Sequence, residues 1–280
     1  MTAGNLDLDG YLARIGWAGP LAPDLPTLRG LLARHTAAIP FEATEALLGR
    51  TPVLDAAGLQ AKLVGARRGG WCFEQNSLLA LALGAIGFQT RTLLARVVYG
   101  LPPGAMLSRT HMVLAVDLPE GPHLADAGFG GVTLTGPVAL GSRAPQGTPH
   151  GPFRLVEVAD GLLLQALLGE DWVGLYVVAM GPQLPADIEA ANWLVANRPG
   201  GLFTANLVAT RAPPGRRVSL LNRRLTLREA DGTETVTLLP GPALGAALRR
   251  AFGLVPDAAE LAAIEAALAA ARPGHVPTPA

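Results

Sequence analysis

The spacing of apolar residues divides the chain into a helical part followed by a mainly β part. Up to about residue 90, apolar positions recur every three or four residues, as they do on one face of a helix. This spacing predicts four helices, over residues 6–15, 27–37, 55–67 and 72–87. Asp55 is suited to cap the start of the third helix, and Gly87 lies where the fourth helix is expected to end.

Beyond residue 90 the apolar positions alternate with polar ones, which is typical of strands. The pattern predicts strands over residues 91–98, 111–116, 123–127, 153–159, 162–168, 172–180, 202–210, 217–221, 224–228 and 233–239. Asp160-Gly161 and Asp231-Gly232 are residue pairs preferred in tight hairpin turns. Two further helices are predicted over residues 187–195 and 257–271. Because helices and strands are segregated along the chain, the predicted fold class is α+β.

Composition narrows the possible functions. Half of the 280 residues are hydrophobic and only 16% are charged, which indicates a folded chain with a substantial core. The 22 basic residues balance the 22 acidic ones, so no excess positive charge points to a nucleic-acid partner or an anionic membrane surface. The apolar runs are too short to cross a bilayer, and the first ten residues lack the pattern of a secretory signal. With a single cysteine, which excludes an intrachain disulfide, a soluble cytoplasmic protein is expected.

The single cysteine, Cys72, follows a Gly69-Gly70-Trp71 segment at the predicted start of the fourth helix. A thiol at a helix N-terminus faces unpaired N–H groups, which stabilise the thiolate. Arg67 and Arg68 would add positive charge if they point toward it. A lone cysteine is equally suited to be a small buried apolar side chain, and the glycine turn before the helix favours the nucleophile.

A nucleophilic cysteine needs an imidazole base and a group that orients the ring. His111 opens an apolar strand and Asp126 ends one, whereas His35, His123, His150 and His275 lie in less suggestive contexts. The alternatives are a core or edge histidine for His111 and a turn-forming residue for Asp126. The cysteine and scattered histidines show no metal-ligand spacing, so no metal is expected.

Three segments resemble the motifs of the arylamine N-acetyltransferase family. Residues 68–76 (RGGWCFEQN) resemble its nucleophile motif, Thr110-His111 with the following strand its histidine motif, and residues 126–131 (DAGFGG) its aspartate motif. The resemblance extends over about residues 11–255 through five further segments, at residues 11–16, 38–42, 47–50, 191–193 and 220–222. The chain departs from the family pattern at residues 43–45, at Trp71 and at residues 197–201, which leaves the shape of the substrate pocket open.

The resemblance implies a fold in three parts with a Cys-His-Asp core like that of papain and the transglutaminases. These parts are a helical N-terminal domain carrying the nucleophile (residues 1–90), a β-barrel domain carrying the histidine and aspartate (91–195) and an α/β C-terminal lid (196–280). It also implies acetyl transfer from acetyl-CoA, as a cosubstrate, to the nitrogen of arylamines or arylhydrazines. Cys72, His111 and Asp126 would form the triad of a ping-pong mechanism, with no permanently bound cofactor.

By the same resemblance, Phe41, Val97, Phe129 and Phe203 would line the acceptor pocket. The residues near the CoA arm would be Thr110, Gly128, Gly130 and Gly131. Structural hydrogen bonds would be made by Glu42 and Glu74. Alternatives are a different acyl-CoA donor, an amide synthase of natural-product biosynthesis, a hydrolase or protease, and a catalytically silent binding module. The physiological acceptor and the oligomeric state are left open.

Overall fold

Helices fill most of the first ninety residues of this computed structural model, which describes residues 6–102, 104–105 and 107–270. They are α1 (Leu8–Ile15), α2 (Leu25–Ala38), α3 (Thr44–Leu47), α4 (Ala56–Leu59) and α5 (Cys72–Ile86), with a short strand, β1 (Phe41–Glu42), before α3. A π-helical turn, Gln60–Gly65, continues α4. The Asp55 side chain accepts a hydrogen bond from Gly58, and Gly87 ends α5 with a φ of 109°, so both predicted caps are confirmed. Among the described residues, no helix is both long and apolar enough to cross a membrane.

The larger of two sheets is antiparallel and has eight strands. They are β2 (Gln89–Val97), β3 (His111–Asp117), β4 (His123–Ala125), β5 (Val138–Ala139), β6 (Gln146–Thr148), β7 (Gly151–Val158), β8 (Gly161–Leu168) and β9 (Asp171–Val178), in spatial order β5-β4-β3-β2-β9-β8-β7-β6. Gln146 of one end strand accepts from the Ala139 N–H at 2.7 Å and donates to the Ala139 carbonyl at 3.1 Å. These bonds tie the two end strands, and the predicted β-barrel is confirmed as a nearly closed sheet.

The smaller sheet joins the start of the chain to its end. Its strands are β1, β10 (Val208–Arg211), β11 (Arg216–Leu221), β12 (Arg224–Glu229) and β13 (Glu234–Leu238), in that spatial order. The surrounding helices are α6 (Pro185–Asn197), α7 (Leu202–Ala205), α8 (Leu244–Ala247) and α9 (Ala258–Ala270), with a 3-10 turn at Gly241–Ala243 and a π turn at Leu248–Phe252. Because Phe41 pairs with Thr210, this sheet contains strands from both the predicted N-terminal domain (residues 1–90) and the predicted C-terminal lid (196–280). The division of the chain into three domains stays a prediction.

Two predicted strands differ from the structure. The strand over residues 202–210 is wrong in its first half, because a helical turn, α7, precedes β10. In this turn the Thr204 hydroxyl donates to the Arg198 carbonyl at 2.7 Å. The strand over residues 123–127 ends early, at Ala125, because the Ala127 N–H donates to the Asn76 side chain at 2.9 Å instead of to a neighbouring strand. In both places a hydrogen bond outside the sheet overrides the alternating pattern.

Helix α5 lies at the centre of the larger hydrophobic core. Its side chains are apolar on almost every side, and Leu78, Leu79, Ala82 and Leu83 have no exposed surface. A helix that is apolar all round is stable only when it is enclosed, and α5 packs against β3 and β2 of the barrel. Because Cys72 begins α5 and His111 begins β3, this packing brings the two residues to the same end of the core.

Replacing Gln146 by alanine is expected to loosen the barrel where its two end strands meet. The variant loses two neutral hydrogen bonds, so its free energy of unfolding should fall by about 1–3 kcal/mol. Urea denaturation followed by circular dichroism measures this change. Gln183→Ala is the control, because within the described part of the chain the Gln183 side chain bonds only to the nearby Gly181 carbonyl. Equal stability of the two variants would show that Gln146 does not hold the strands together.

Candidate active site

A tight turn places Cys72 at the first position of α5. A side chain at Gly69 would begin 2.2 Å from the Pro40 carbonyl oxygen, so only glycine lets the chain pass β1 this closely. Beside this turn, Phe41 of β1 forms an isolated parallel bridge with Gly70. The Cys72 side chain is buried, with 6% of its surface exposed. Gly69 is therefore needed for close backbone approach, while a side chain at Gly70 would begin 2.7 Å from the Glu74 carboxylate.

Two side chains of α5 reach back to hold the turn in front of it. The Glu74 carboxylate accepts from the Trp71 N–H at 3.1 Å. The Gln75 amide donates to the Pro40 carbonyl at 2.7 Å and to the Gly70 carbonyl at 3.1 Å. Glu74 satisfies the Trp71 N–H, and Gln75 adds to the backbone bonds that the two carbonyls already accept from Gly70 and Glu42. Together these bonds fix the direction in which Cys72 enters the helix.

His35 supports this turn from behind. Its Nε2 donates to the Gln75 oxygen at 2.7 Å, and its Nδ1 accepts from the Tyr11 hydroxyl at 2.9 Å. Burial lowers the pKa of His35 to about 4, so the ring is neutral near pH 7. His35 is thus part of a buried scaffold. Of the other histidines, His123 and His150 bond to backbone carbonyls, and His275 lies outside the described residues.

Two basic side chains near the turn, those of Arg68 and Lys62, pair with carboxylates. Arg68 donates to Glu42 at 3.1 Å and to Glu260 of α9 at 2.9 Å, and Arg67 is exposed. Lys62 contacts Glu74 at 2.7 Å. Arg68 therefore does not supply the positive charge considered for the thiolate, because the carboxylates of Glu42 and Glu260 take its guanidinium, whereas the contribution of Arg67 stays a prediction.

The structure brings together the three residues predicted as catalytic. The Cys72 Sγ lies 3.8 Å from the Thr110 carbonyl, and Cys72 is near enough to His111 to raise the pKa of its ring. The His111 Nε2 lies 2.8 Å from Asp126 Oδ2. Since Nε2 faces the carboxylate, Nδ1 is the ring nitrogen left to exchange a proton with the thiol. This is the relation of nucleophile, base and orienting acid found in cysteine-dependent acyl transfer.

The Asp126 carboxylate is fully buried and accepts four hydrogen bonds. Besides His111, the Asn76 amide donates to Oδ1 at 2.9 Å and the Gly128 N–H donates to the same oxygen at 2.8 Å. The Tyr176 hydroxyl donates to Oδ2 at 2.8 Å. Every donor satisfies a lone pair of the anion, so the carboxylate remains charged away from water.

The two members of this pair favour each other's charged form. Burial would by itself lower the pKa of His111, but the charge of Asp126, with hydrogen bonds to Asp126 and Cys72, raises it to about 10. Burial would raise the pKa of Asp126, but the His111 charge and the bonds from His111, Asn76 and Gly128 hold it below its usual value. An imidazolium next to the thiol stabilises a thiolate.

Gly128 packs directly on the nucleophile. A side chain there would begin 2.5 Å from Cys72 Cα and 3.1 Å from Cys72 Cβ. The turn that follows Asp126 is closed by Thr133, whose hydroxyl donates to the Asp126 carbonyl at 2.9 Å and accepts from the Phe129 N–H at 3.3 Å. The glycine-rich segment is therefore a fixed wall of the site.

Comparison with known proteins identifies the family of the chain. A family profile described as N-acetyltransferase matches residues 24–261. The arylamine N-acetyltransferase of Escherichia coli is 40% identical over 255 residues, covering 90% of each chain, and that of Mycobacterium tuberculosis is 38% identical over 266 residues, covering 93% of this chain and 94% of the relative. The chain belongs to the arylamine N-acetyltransferase family. The structure of Mycobacterium marinum arylamine N-acetyltransferase in complex with CoA has a TM-score of 0.89 and 37% identity, covering 93% of this chain and 99% of that one.

The residues predicted for the acceptor pocket of this arylamine N-acetyltransferase family member lie in two aromatic groups. Phe41 and Phe203 pack with ring centroids 5.7 Å apart, next to Trp71. Phe129 lies edge-on to the His111 ring at 5.1 Å. Val97 pairs across the strands with Tyr176, whose ring is 5.0 Å from Phe129. A side chain at Gly130 would begin 3.9 Å from the Phe41 ring, so the glycine turn lies between the two groups.

Two partners of Asp126 were not predicted from the sequence. Asn76 stands four residues after Cys72, and this helical spacing is a signal that could have placed it on the same face of α5. Tyr176 lies on β9, 50 residues after Asp126, and only the closure of the barrel brings it to the site. For the residues that the structure describes, no cluster of three or more His, Cys, Asp or Glu side chains is arranged to bind a metal.

Gly128→Ala is expected to displace the nucleophile, because the new methyl group would begin 2.5 Å from Cys72 Cα. The rate at which iodoacetamide alkylates Cys72 should fall by about 10- to 100-fold, as displacements near 1 Å do in aligned sites. Gly141→Ala serves as the control, since a side chain at Gly141 meets no atom within 4 Å. Alkylation of the Gly128 variant at the wild-type rate would contradict the close contact.

Asp126→Asn is expected to lower the pKa of His111 from about 10 to below its usual value. The substitution removes the negative charge that raises this pKa and leaves the effect of burial unopposed. NMR titration of protein with 15N-labelled histidine measures the shift. His35, which has a pKa of about 4 and does not contact Asp126, is the internal control. A His111 titration that does not move would rule out Asp126 as the source of the shift.

Proposed function

We propose that the chain transfers an acetyl group from acetyl-CoA to the nitrogen of aromatic amines or hydrazines through an acetyl-cysteine intermediate on Cys72. The observation that carries the proposal is the arrangement of the buried thiol next to His111 and of the His111 Nε2 2.8 Å from Oδ2 of the fully buried Asp126. Membership of the arylamine N-acetyltransferase family supports the reaction type, and the CoA complex of the Mycobacterium marinum relative supports the donor.

In the first half-reaction His111 holds the thiol proton and Asp126 balances the resulting imidazolium. The Cys72 thiolate attacks the thioester carbonyl of the donor, and negative charge develops on the carbonyl oxygen. The N–H of Cys72 lies in the first turn of α5, where it has no acceptor within the helix, and it is suited to stabilise that oxygen. The carbon–sulfur bond to CoA then breaks, and the CoA thiolate takes the proton from His111.

In the second half-reaction the acceptor nitrogen attacks the acetyl group on Cys72. His111, now neutral, accepts the proton that the nitrogen loses, and the Cys72 thiolate leaves. The first step exchanges one thioester for another and is nearly balanced in free energy, which suits cysteine better than serine as the carrier. Because one nucleophile serves both halves, donor and acceptor take turns at the same site, and the kinetics are ping-pong.

The acceptor pocket is proposed to be lined by Phe41, Val97, Phe129 and Phe203. Their support is the pair of aromatic groups on either side of the glycine turn, one of which contacts His111. Flat apolar walls suit an aromatic ring, which can stack on or lie edge-on to them. An acceptor held between them would present its nitrogen to the group carried by Cys72.

The donor arm is proposed to pass Thr110, Gly128, Gly130 and Gly131. Its support is local geometry: the Thr110 carbonyl lies 3.8 Å from the Cys72 sulfur, and Gly128 packs against the Cys72 backbone. The pantetheine chain of CoA carries amide groups that can bond to backbone groups of this turn that have no partner among the described residues, such as the N–H groups of Gly130 and Gly131. The glycines allow the chain to approach without side chains in the way.

Intact-protein mass spectrometry tests the covalent step. Wild-type protein incubated briefly with acetyl-CoA and no acceptor should gain one acetyl unit, and addition of an arylamine such as aniline should remove it with formation of the acetylated amine. Cys72→Ala is the matched variant and should gain nothing. An adduct that persists on Cys72→Ala would place the chemistry on another residue. The proposed donor would be refuted if folded wild-type protein gains no acetyl group without acceptor and forms no acetylated amine with it.

A further inference from the structure

Arg217 reaches from the smaller sheet onto the turn that follows Asp126. It is the second residue of β11, and its guanidinium donates to the Gly131 carbonyl at 3.2 Å and to the Thr133 carbonyl at 3.1 Å. A positive charge from the C-terminal part of the chain therefore lies against the glycine turn next to the triad.

This charge is half-buried and has no counter-ion in the described part of the chain. No Asp or Glu there lies within 4.0 Å of the Arg217 nitrogens, whereas the nearby Arg228 pairs with Glu234 at 2.7 Å. Burial, with the charge of Arg228, lowers the pKa of Arg217 to about 10. Arg14 is buried and has no carboxylate partner among the described residues either, but all three of its nitrogens donate to carbonyls. Arg217 differs because its Nε donates to no described residue.

The adjoining turn offers further donors. The N–H groups of Gly130 and Gly131 have no acceptor among the residues that the structure describes. Gly130 has a φ of 88°, and turns of this kind can present successive N–H groups on one side as a concave site for an anion. A guanidinium and unpaired N–H groups on the same turn are the donors that phosphate groups prefer.

This group of donors is continuous with the active site. Phe129 precedes Gly130 in the turn and lies edge-on to His111 at 5.1 Å, and Tyr99 packs on Phe129 at 6.1 Å. The charge of Arg217 also reaches Tyr99, although burial is the larger influence on that phenol and raises its pKa. An anion held here would thus be part of a substrate whose other end reaches Cys72.

We propose that Arg217 and the N–H groups of Gly130 and Gly131 bind a phosphate group of the acyl donor and make Arg217 a donor-specificity residue. The inference rests on the proposed function, in which the donor is a CoA thioester. A phosphate is favoured over a carboxylate on the acceptor because every turnover uses a donor that carries phosphates, whereas an aromatic amine need not be charged.

Binding measurements with Arg217→Met test the proposal without requiring turnover. Isothermal titration calorimetry should show CoA bound about 10- to 100-fold more weakly than by wild type, which is the expected loss for a charge-assisted bond. Pantetheine, which lacks the phosphates, should bind both proteins equally. Arg154→Met is the control for loss of one positive charge, because the Arg154 guanidinium lies over the Trp172 ring on the barrel, 4.3 Å from its centre. Arg217→Lys keeps the charge and should recover part of the CoA affinity.

Acetyl transfer to aniline gives the second readout. With acetyl-CoA, Arg217→Met should raise KM about 10- to 100-fold and change kcat little. With S-acetyl-N-acetylcysteamine, a thioester without phosphates, kcat/KM should equal that of wild type. If both donors lose activity equally, or if CoA and pantetheine lose affinity equally in both Arg217 variants, Arg217 only holds the turn. A loss seen only with 4-aminobenzoate as acceptor would assign the anion to the acceptor.

The two proposals fail in distinguishable ways. A wild-type protein that binds CoA through Arg217 but never acetylates Cys72 would refute the proposed function and leave the anion site intact. A wild-type protein that acetylates Cys72 normally, with CoA affinity unaffected by Arg217→Met, would refute the anion site and leave the function intact. Thermal unfolding of each variant shows whether a loss of binding reflects a loss of fold.

Discussion

The buried carboxylate of Asp126 is the group on which the arrangement of the site depends. Its four donors come from α5, β3, β9 and its own turn, so one anion joins the central helix to two strands of the barrel. Hydrogen bonds to a charged group contribute about 1.5–3 kcal/mol each, and an unpaired buried charge costs several kcal/mol. The core can therefore close only when these donors are in place, and the same bonds orient His111 for the reaction.

Close backbone contact fixes the nucleophile in the same way that hydrogen bonds fix the base. Gly69 lets the turn before Cys72 pass the carbonyl of Pro40, and Gly128 brings the turn after Asp126 against the Cys72 backbone. Gln75, held by His35, ties the first turn to α2. The thiol thus sits between two turns that have little freedom, and its distance from the imidazole is set before any substrate binds. Such preorganisation lowers the barrier without a cost at the moment of reaction.

The charges around this site are arranged in buried pairs, which the overall composition of the chain does not reveal. The chain has no net charge, yet its enclosed acids near the nucleophile are each matched by a cation: Glu42 by Arg68, and Glu74 by Lys62. These pairs support the turn and the docking of α9. Arg217, which is half-buried, has no such partner among the described residues and lies against two carbonyls of the glycine turn, where the N–H groups of Gly130 and Gly131 are unpaired. That contrast is what marks the glycine turn as a place for an anionic part of a substrate.

The sequence by itself determined the residues whose roles are local. The helix that begins at Cys72, the strand that begins at His111 and the caps at Asp55 and Gly87 follow from spacing and backbone preference, which act over a few residues. Motif resemblance indicated the family. Tertiary structure alone decided which side chains surround the triad, since Tyr176 and Arg217 reach it only through barrel closure and the pairing of β1 with β10. It also turned residues 202–205 into a helix and gave Arg68 to Glu42 and Glu260, because contacts between distant segments outweigh local patterns.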